Sequence, residues 1–169
     1  MKVVMATRRS TLRVVFLTLL AWAAGENLYA QETTRVQWLT FEQLEDSLRA
    51  NPRKVFVDFY ADWCTYCRKM DRVAFKDKAV VELLNKEYYA VKMNIESRDT
   101  IDFGGTRFVN QNAKKVNPVH QIPLLMAGRE GKPFSLPAMV ILDEKFRAKA
   151  RYFQYLDARQ MEEALRRTY

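Results

Sequence analysis

Cysteine and histidine are almost missing from this chain. Its 169 residues include two cysteines, Cys64 and Cys67, and one histidine, His120. A structural disulfide elsewhere is thereby excluded. A tetrahedral zinc site needs four ligands, so it would have to recruit carboxylates or a second chain, and no metal is expected. The N-terminal apolar stretch, Val14 to Gly25, holds twelve residues, short of the ~20 needed to span a bilayer. The net charge is +8, yet no basic run interleaved with aromatics accompanies it, so no nucleic-acid partner is expected. The tightest basic clusters, Arg68-Lys69, Lys114-Lys115 and Arg166-Arg167, read as solvated helix faces. The excess charge biases the chain weakly towards acidic partners or an anionic membrane surface.

What is present begins with a leader. Lys2, Arg8, Arg9 and Arg13 precede Val14 to Gly25, and a polar segment reaches Ala30-Gln31. Basic, apolar and then cleavable is the order of a signal peptide, expected over residues 1–30. The Arg8-Arg9 pair partly matches a twin-arginine signal, but the strongly apolar segment behind it favours a general secretory one. Removing residues 1–30 would take away four basic residues and Glu26, leaving 24 basic and 19 acidic residues, a net +5. The remaining residues 31–169 suffice for one domain with a substantial core. The expected location is periplasmic or secreted, without a stable membrane anchor.

The two cysteines stand in Trp63-Cys64-Thr65-Tyr66-Cys67, directly after Val55-Phe56-Val57-Asp58-Phe59-Tyr60. That lead-in is β-branched and aromatic, as a buried strand is, and Arg68-Lys69-Met70 continues with helix formers. The cysteines therefore open a helix at the end of a strand. Unpaired N–H groups and the positive end of the helix dipole stabilise an anion there, favouring ionisation of Cys64 relative to a free thiol at about 8.5. Cys64 is the expected nucleophile. Cys67, a turn further in and expected to be less exposed, is the expected resolving thiol. Half a zinc site is the other reading of Cys-x-x-Cys, and the strand-to-helix context favours redox chemistry.

The run Val57-Asp58-Phe59-Tyr60-Ala61-Asp62-Trp63-Cys64-x-x-Cys67 resembles the thioredoxin signature. Its Tyr-Ala-Asp-Trp-Cys form is similar to the C-terminal domain of membrane thiol-disulfide interchange proteins and related exported proteins. Val91 to Glu96 and Ser135 to Asp143 resemble two further strands of that family, so the likeness covers about residues 36–167. It implies an α/β thioredoxin-like fold, a central mixed β-sheet flanked by helices. It also implies that Asp58 is a buried acid taking the Cys67 proton, that Lys92 partners it, and that the Leu136-Pro137 bond is cis beside a substrate segment. Burial should raise the Asp58 pKa. A solvent-facing Lys92 is the alternative. Trp63 is expected to pack and to flank the substrate groove, and Tyr66 to limit which protein disulfides approach. Thr65-Tyr66 replaces the familiar Gly-Pro between the cysteines, which leaves the reduction potential open.

The rest of the chain alternates as that fold requires. Strands are expected at Val36–Leu39, Val55–Tyr60, Tyr89–Ile95, Pro137–Leu142 and Lys149–Gln154, the last two antiparallel. Helices follow Thr40 in a capping box with Gln43, then Cys64, Asp77 and Asp157. Between Glu96 and Leu136 lie 39 residues, more than one crossover helix needs. This insertion, about 97–135, should hold a β-hairpin around Gly104-Gly105 and a helix from Asn117 through Met126, kinked by Pro123. It either borders the active site or covers a sheet edge. His120, within it, is given no catalytic role.

The expected function is an exported thiol-disulfide oxidoreductase that needs no cofactor and reduces protein disulfides through a Cys64-Cys67 cycle. Its partners would be protein disulfides or dithiols and a membrane electron donor. Two alternatives stand beside it: an oxidase or isomerase, and a binding module or chaperone with a structural disulfide.

Overall fold

A computed structural model describes residues 34–167; the expected signal peptide lies outside them. Strand β1 (Trp38–Leu39) leads to helix α1 (Phe41–Ala50), whose start is fixed by the expected box: Gln43 N–H donates to Thr40 Oγ1 at 3.2 Å and Thr40 N–H to Gln43 Oε1 at 2.9 Å. Strand β2 (Lys54–Tyr60) runs into helix α2 (Thr65–Arg72). A 3₁₀ turn at Ala74–Lys76 and helix α3 (Lys78–Glu87), capped by Asp77 Oδ1 on the Ala79 and Val80 N–H groups, return the chain to β3 (Tyr88–Asn94).

The insertion contributes the hairpin β4 (Ile101–Phe103) and β5 (Thr106–Phe108), followed by helix α4 (Gln121–Ala127). Gly104 and Gly105 turn the hairpin with φ of 60° and 71°, a conformation that side chains with a Cβ resist. Strands β6 (Ala138–Leu142) and β7 (Ala148–Tyr152) and helix α5 (Ala158–Arg166) complete the domain. The main sheet has the order β1-β3-β2-β6-β7, with β1, β3 and β2 parallel and β6 and β7 antiparallel to their neighbours. It is the expected mixed sheet. The exposed edge strand β7 presents Lys149 and Arg151 to solvent, charges that discourage edge-to-edge pairing.

Strand alternation sorts the interior into two cores. Phe56 on β2, Ala90 on β3 and Met139 and Ile141 on β6 face α3 and α5, against Val80, Leu84, Met161 and Leu165. Val55, Val57 and Phe59, with Val91, Met93 and Val140, face the other way, against Phe41 and Leu44 of α1. Helix α2 begins beyond the carboxyl end of β2 and joins both: Cys67 packs in the second core and Met70 in the first.

The insertion does more than cover an edge. Ile101, Ile122 and Ala127 are buried in the α1-side core, and Phe103 packs edge-on against Phe41 with ring centroids 5.4 Å apart. Gly104 N–H donates to Glu45 Oε2 at 2.9 Å, tying the hairpin tip to α1. The helix expected from Asn117 begins only at Gln121. Asn117 takes φ of 55°, outside the right-handed helical region, and the His120 ring supplies the N-cap by accepting the Ile122 N–H at Nδ1, 3.2 Å. Pro123 does not kink α4, because at the third helical position its missing N–H is one that no intrahelical carbonyl would have met.

His120 is fully buried, and its backbone N–H donates to Ile95 O at 2.8 Å, so the cap also fastens α4 to the end of β3. Since Nδ1 accepts, Nε2 carries the hydrogen and donates to Asp99 O at 3.2 Å. Burial pushes the pKa below the ordinary histidine value, against the raising effect of the Asp99 carbonyl. A pKa lower folded than unfolded gives stability that is full above about 6.5 and lost as pH falls through the folded value. Denaturant unfolding of His120→Asn, which keeps a capping oxygen but does not titrate, should therefore lose less stability than the unsubstituted protein between pH 7 and pH 5. Equal losses would count against the latch.

Candidate active site

Cys64 and Cys67 form a disulfide. Cys64 is the N-cap residue of α2, and its Sγ accepts the Cys67 N–H at 3.2 Å. That N–H is one of the donors a helix start leaves unpaired, so the sulfur occupies the place where a capping oxygen would sit and where negative charge is best stabilised. Exposure barely separates the two, at 5% for Cys64 and 3% for Cys67. Position on the helix, rather than accessibility, is what distinguishes them.

Asp58 leaves β2 on the α3–α5 side of the sheet and is 2% exposed. Lys92 is its register partner on β3, with Nζ 3.1 Å from Asp58 Oδ2. Lys92 does not face solvent. It bridges Asp58 to Asp71, and its ammonium lies 5.0–5.3 Å from the ring centroids of Trp38, Tyr60 and Phe75. Burial works against the Lys92 ammonium, but Asp58 and Asp71 together hold its pKa above the ordinary lysine value. At Asp58, by contrast, burial outweighs Lys92 and raises the carboxyl to about 6. Asp58 Oδ1 has no hydrogen-bond partner among the described residues, which makes it the oxygen free to carry a proton.

Asp71 was not singled out by sequence reasoning. It stands four residues after Cys67, one turn further along α2, so the chain Asp58–Lys92–Asp71 connects the buried acid to the helix bearing the cysteines. No hydrogen bond joins Asp58 to either sulfur in the disulfide form. The signal available was the i, i+4 spacing from Cys67, which places a carboxylate on the same helical face.

Around the disulfide, Trp63 departs from expectation: it is 58% exposed rather than packed, with Nε1 donating to Glu96 Oε1 at 2.9 Å. That bond brings Glu96, two residues past β3 and directly before the insertion, to the active-site rim. Tyr66 is equally exposed, and its ring lies 6.0 Å from that of Tyr155. Leu136 packs against the core that includes both cysteines, Pro137 is buried, and the Leu136-Pro137 peptide bond is cis. Arg129, stacked 4.1 Å over Phe153, donates to Ser135 Oγ at 2.7 Å and so steadies the approach to that bond. Among the described residues no three His, Cys, Asp or Glu side chains are grouped to hold a metal, and no helix is long and apolar enough to cross a membrane.

Comparison with known proteins agrees with this geometry. A family model described as thioredoxin-like matches residues 37–127. The thiol:disulfide interchange protein DsbD of Escherichia coli O6:K15:H31 is 29% identical over 118 residues, 61% of this chain and 21% of that protein. DsbD of Campylobacter jejuni RM1221 is 27% identical over 59 residues, covering 35% of this chain and 10% of its own. The chain thus spans about a fifth or less of these relatives' length. Among solved structures, the DsbH oxidoreductase superposes with a TM-score of 0.53 at 16% identity, over 88% of this chain and 99% of its own. A thioredoxin from Thermus thermophilus gives 0.54 at 18%, over 78% and 85%. At those identities the likeness establishes the fold.

Asp58 holds its proton more tightly folded than unfolded, so its contribution to stability is full below about 3.8 and is lost as pH rises through about 6. Asp58→Asn removes that loss. Chemical denaturation at pH 8 should find the variant more stable by on the order of 2–3 kcal/mol, with the gap closing towards pH 4. A variant less stable at pH 8 would show that the ion pair outweighs the burial of its carboxylate.

Proposed function

This chain belongs to the thioredoxin-like family, and from that premise we propose that it is an exported thiol-disulfide oxidoreductase that reduces disulfides of other proteins. The observation that carries the reading is the Cys64–Cys67 pair at the amino end of α2, with the Cys64 sulfur in the N-cap position. The order of basic, apolar and cleavable segments over residues 1–30 supports export, and residues 31–169 are then the mature domain.

In the reducing direction the Cys64 thiolate attacks one sulfur of a substrate disulfide. That bond breaks, a mixed disulfide forms, and the departing substrate sulfur takes up a proton. Cys67 gives its proton to Asp58, directly or through a water, and attacks the Cys64 sulfur; the second substrate thiol leaves as the Cys64–Cys67 bond forms. The substrate gains two electrons and two protons. Lys92 from β3, itself tied to Asp71 of α2, holds the acid in place, while Trp63, Tyr66, Leu136 and Pro137 border the approaching chain, which adds beside the cis peptide as an extended segment. A membrane electron donor restores the dithiol, since an exported compartment supplies no cytosolic reductase. The cycle uses no metal or organic cofactor.

Equilibrating the protein with dithiothreitol or glutathione and counting free thiols tests the direction of flux. A potential near about −270 mV is expected, whereas one near about −120 mV would mark an oxidase. A pair that excess dithiothreitol leaves intact would be a structural bridge, and the redox reading would fall.

The acid's role is checked separately. Rapid-mixing measurement of the resolving step should show a rate that rises through about pH 6 in the unsubstituted protein. In Asp58→Asn it should be about a hundredfold slower at pH 7, with no inflection there. Cys67→Ser should trap a substrate on Cys64 as a mixed disulfide, and Cys64→Ser should trap none; trapping by Cys64→Ser alone would reverse the assigned roles, and trapping by both or neither would remove them.

A further inference from the structure

The outward side of α2 carries a charge pattern that the thiol chemistry does not use. Arg68, Lys69, Arg72 and Lys76 are all exposed, four cations within nine residues of the helix and the turn after it. The carboxylate on that helix, Asp71, is half-buried and committed to Lys92. Elsewhere the protein pairs its helical arginines with acids along the same helix: Arg49 with Glu45 at 3.0 Å on α1, and Arg166 with Glu162 at 2.8 Å on α5. None of these four cations meets a carboxylate among the described residues. Arg68 instead donates to the Asp62 carbonyl and to Thr65 Oγ1, and Lys69 lies 4.6 Å over the ring of Tyr155.

This charge is joined to the redox site. Tyr155 carries Lys69 on its ring and packs against Tyr66, which sits between the two cysteines. One contiguous surface therefore runs from the disulfide across two aromatic rings to a row of unpaired cations. Of the acids around this surface, Asp77 caps α3 and Asp157 caps α5, Glu96 accepts from the Trp63 indole, and Asp62 stands exposed on the other side of the motif.

We propose that this surface is a docking site for an acidic extended segment of the partner protein, which places an apolar or aromatic side chain on Tyr66 and Tyr155 and Asp or Glu residues along Lys69, Arg72 and Lys76. It thereby selects substrates whose disulfide is flanked by acidic residues. This rests on the redox reading above. A partner segment desolvates little charge at such a rim, so its effect falls chiefly on the association rate and weakens with salt.

Two peptides, each closed by one disulfide and identical except for Glu or Lys beside it, provide the test. With the reduced protein at low ionic strength, the Glu peptide should react roughly tenfold faster than the Lys peptide. The difference should shrink towards one at ~1 M salt, and in a Lys69→Glu, Arg72→Glu double variant the order should reverse. Equal rates at low salt, or a preference that survives the charge reversal, would overturn the proposal. Neutral hydroxyethyl disulfide separates the two levels. If it reacts while the peptides are not distinguished, the docking surface alone is wrong; if none of the three disulfides reacts, the redox reading fails and the docking site with it. Salt-sensitive association with vesicles of anionic phospholipid, without peptide discrimination, would assign the cations to a membrane and likewise overturn the proposal. Should the double variant not fold, the salt dependence of the unsubstituted protein still decides.

Discussion

The buried pair of Asp58 and Lys92 fixes the register of the two central parallel strands, and the active site follows from that register. The two residues face each other across β2 and β3 on the same side of the sheet. Sliding one strand by a single residue would turn Lys92 into the opposite core and leave a buried carboxylate without its cation. Breaking a buried ion pair in this way costs on the order of 3–5 kcal/mol, comparable with the whole stability of a small domain. Register here is therefore specified by charge as well as by shape. It sets where β2 ends and hence where the cysteine helix begins.

The same pair keeps that helix in place from below. Lys92 is held among three aromatic rings and two carboxylates, one of them on α2 itself. A cation so placed has few rotamers left. Its position relays the buried acid to the turn after Cys67, although no direct hydrogen bond links that acid to sulfur. The raised carboxyl of Asp58, at about 6, is then a consequence of burial that Lys92 only partly offsets, and it places a proton acceptor near neutrality where the resolving step needs one.

Much of this was legible because the sequence states it redundantly. The continuous β-branched and aromatic run Val55 to Tyr60 marks a strand with two apolar faces, Asp58 is conspicuous within it, and the capping residues Thr40, Asp77 and Asp157 all cap as the spacing implies. The rest depended on tertiary contacts. His120 as an N-cap depends on a carbonyl of Asp99 and on the end of β3, both brought to it by tertiary structure. Asn117, followed by a proline, suggested a helix start, but its backbone takes a left-handed φ of 55°. Trp63 was expected to pack as well as to flank the groove, yet the motif leaves it exposed at the rim with its indole on Glu96. Asp71 was hidden for a different reason, since a carboxylate on a short charged helix reads as a solvated residue until its partner across the sheet is known.

The commitment of Asp71 to Lys92 has a consequence for the outside of the same helix. A helix with three cations and one acid would ordinarily be partly neutralised along its length by i, i+3 and i, i+4 pairing. Lys92 takes the acid, so the outward face keeps its full positive charge beside the disulfide. Lys69 and Arg72, in the last turn, also complement the negative end of the helix dipole, while Cys64 occupies the positive end. Helix α2 is in this sense polarised twice. Its amino end stabilises a thiolate and its flank attracts anions, and both follow from one buried lysine drawing the helix's carboxylate inward.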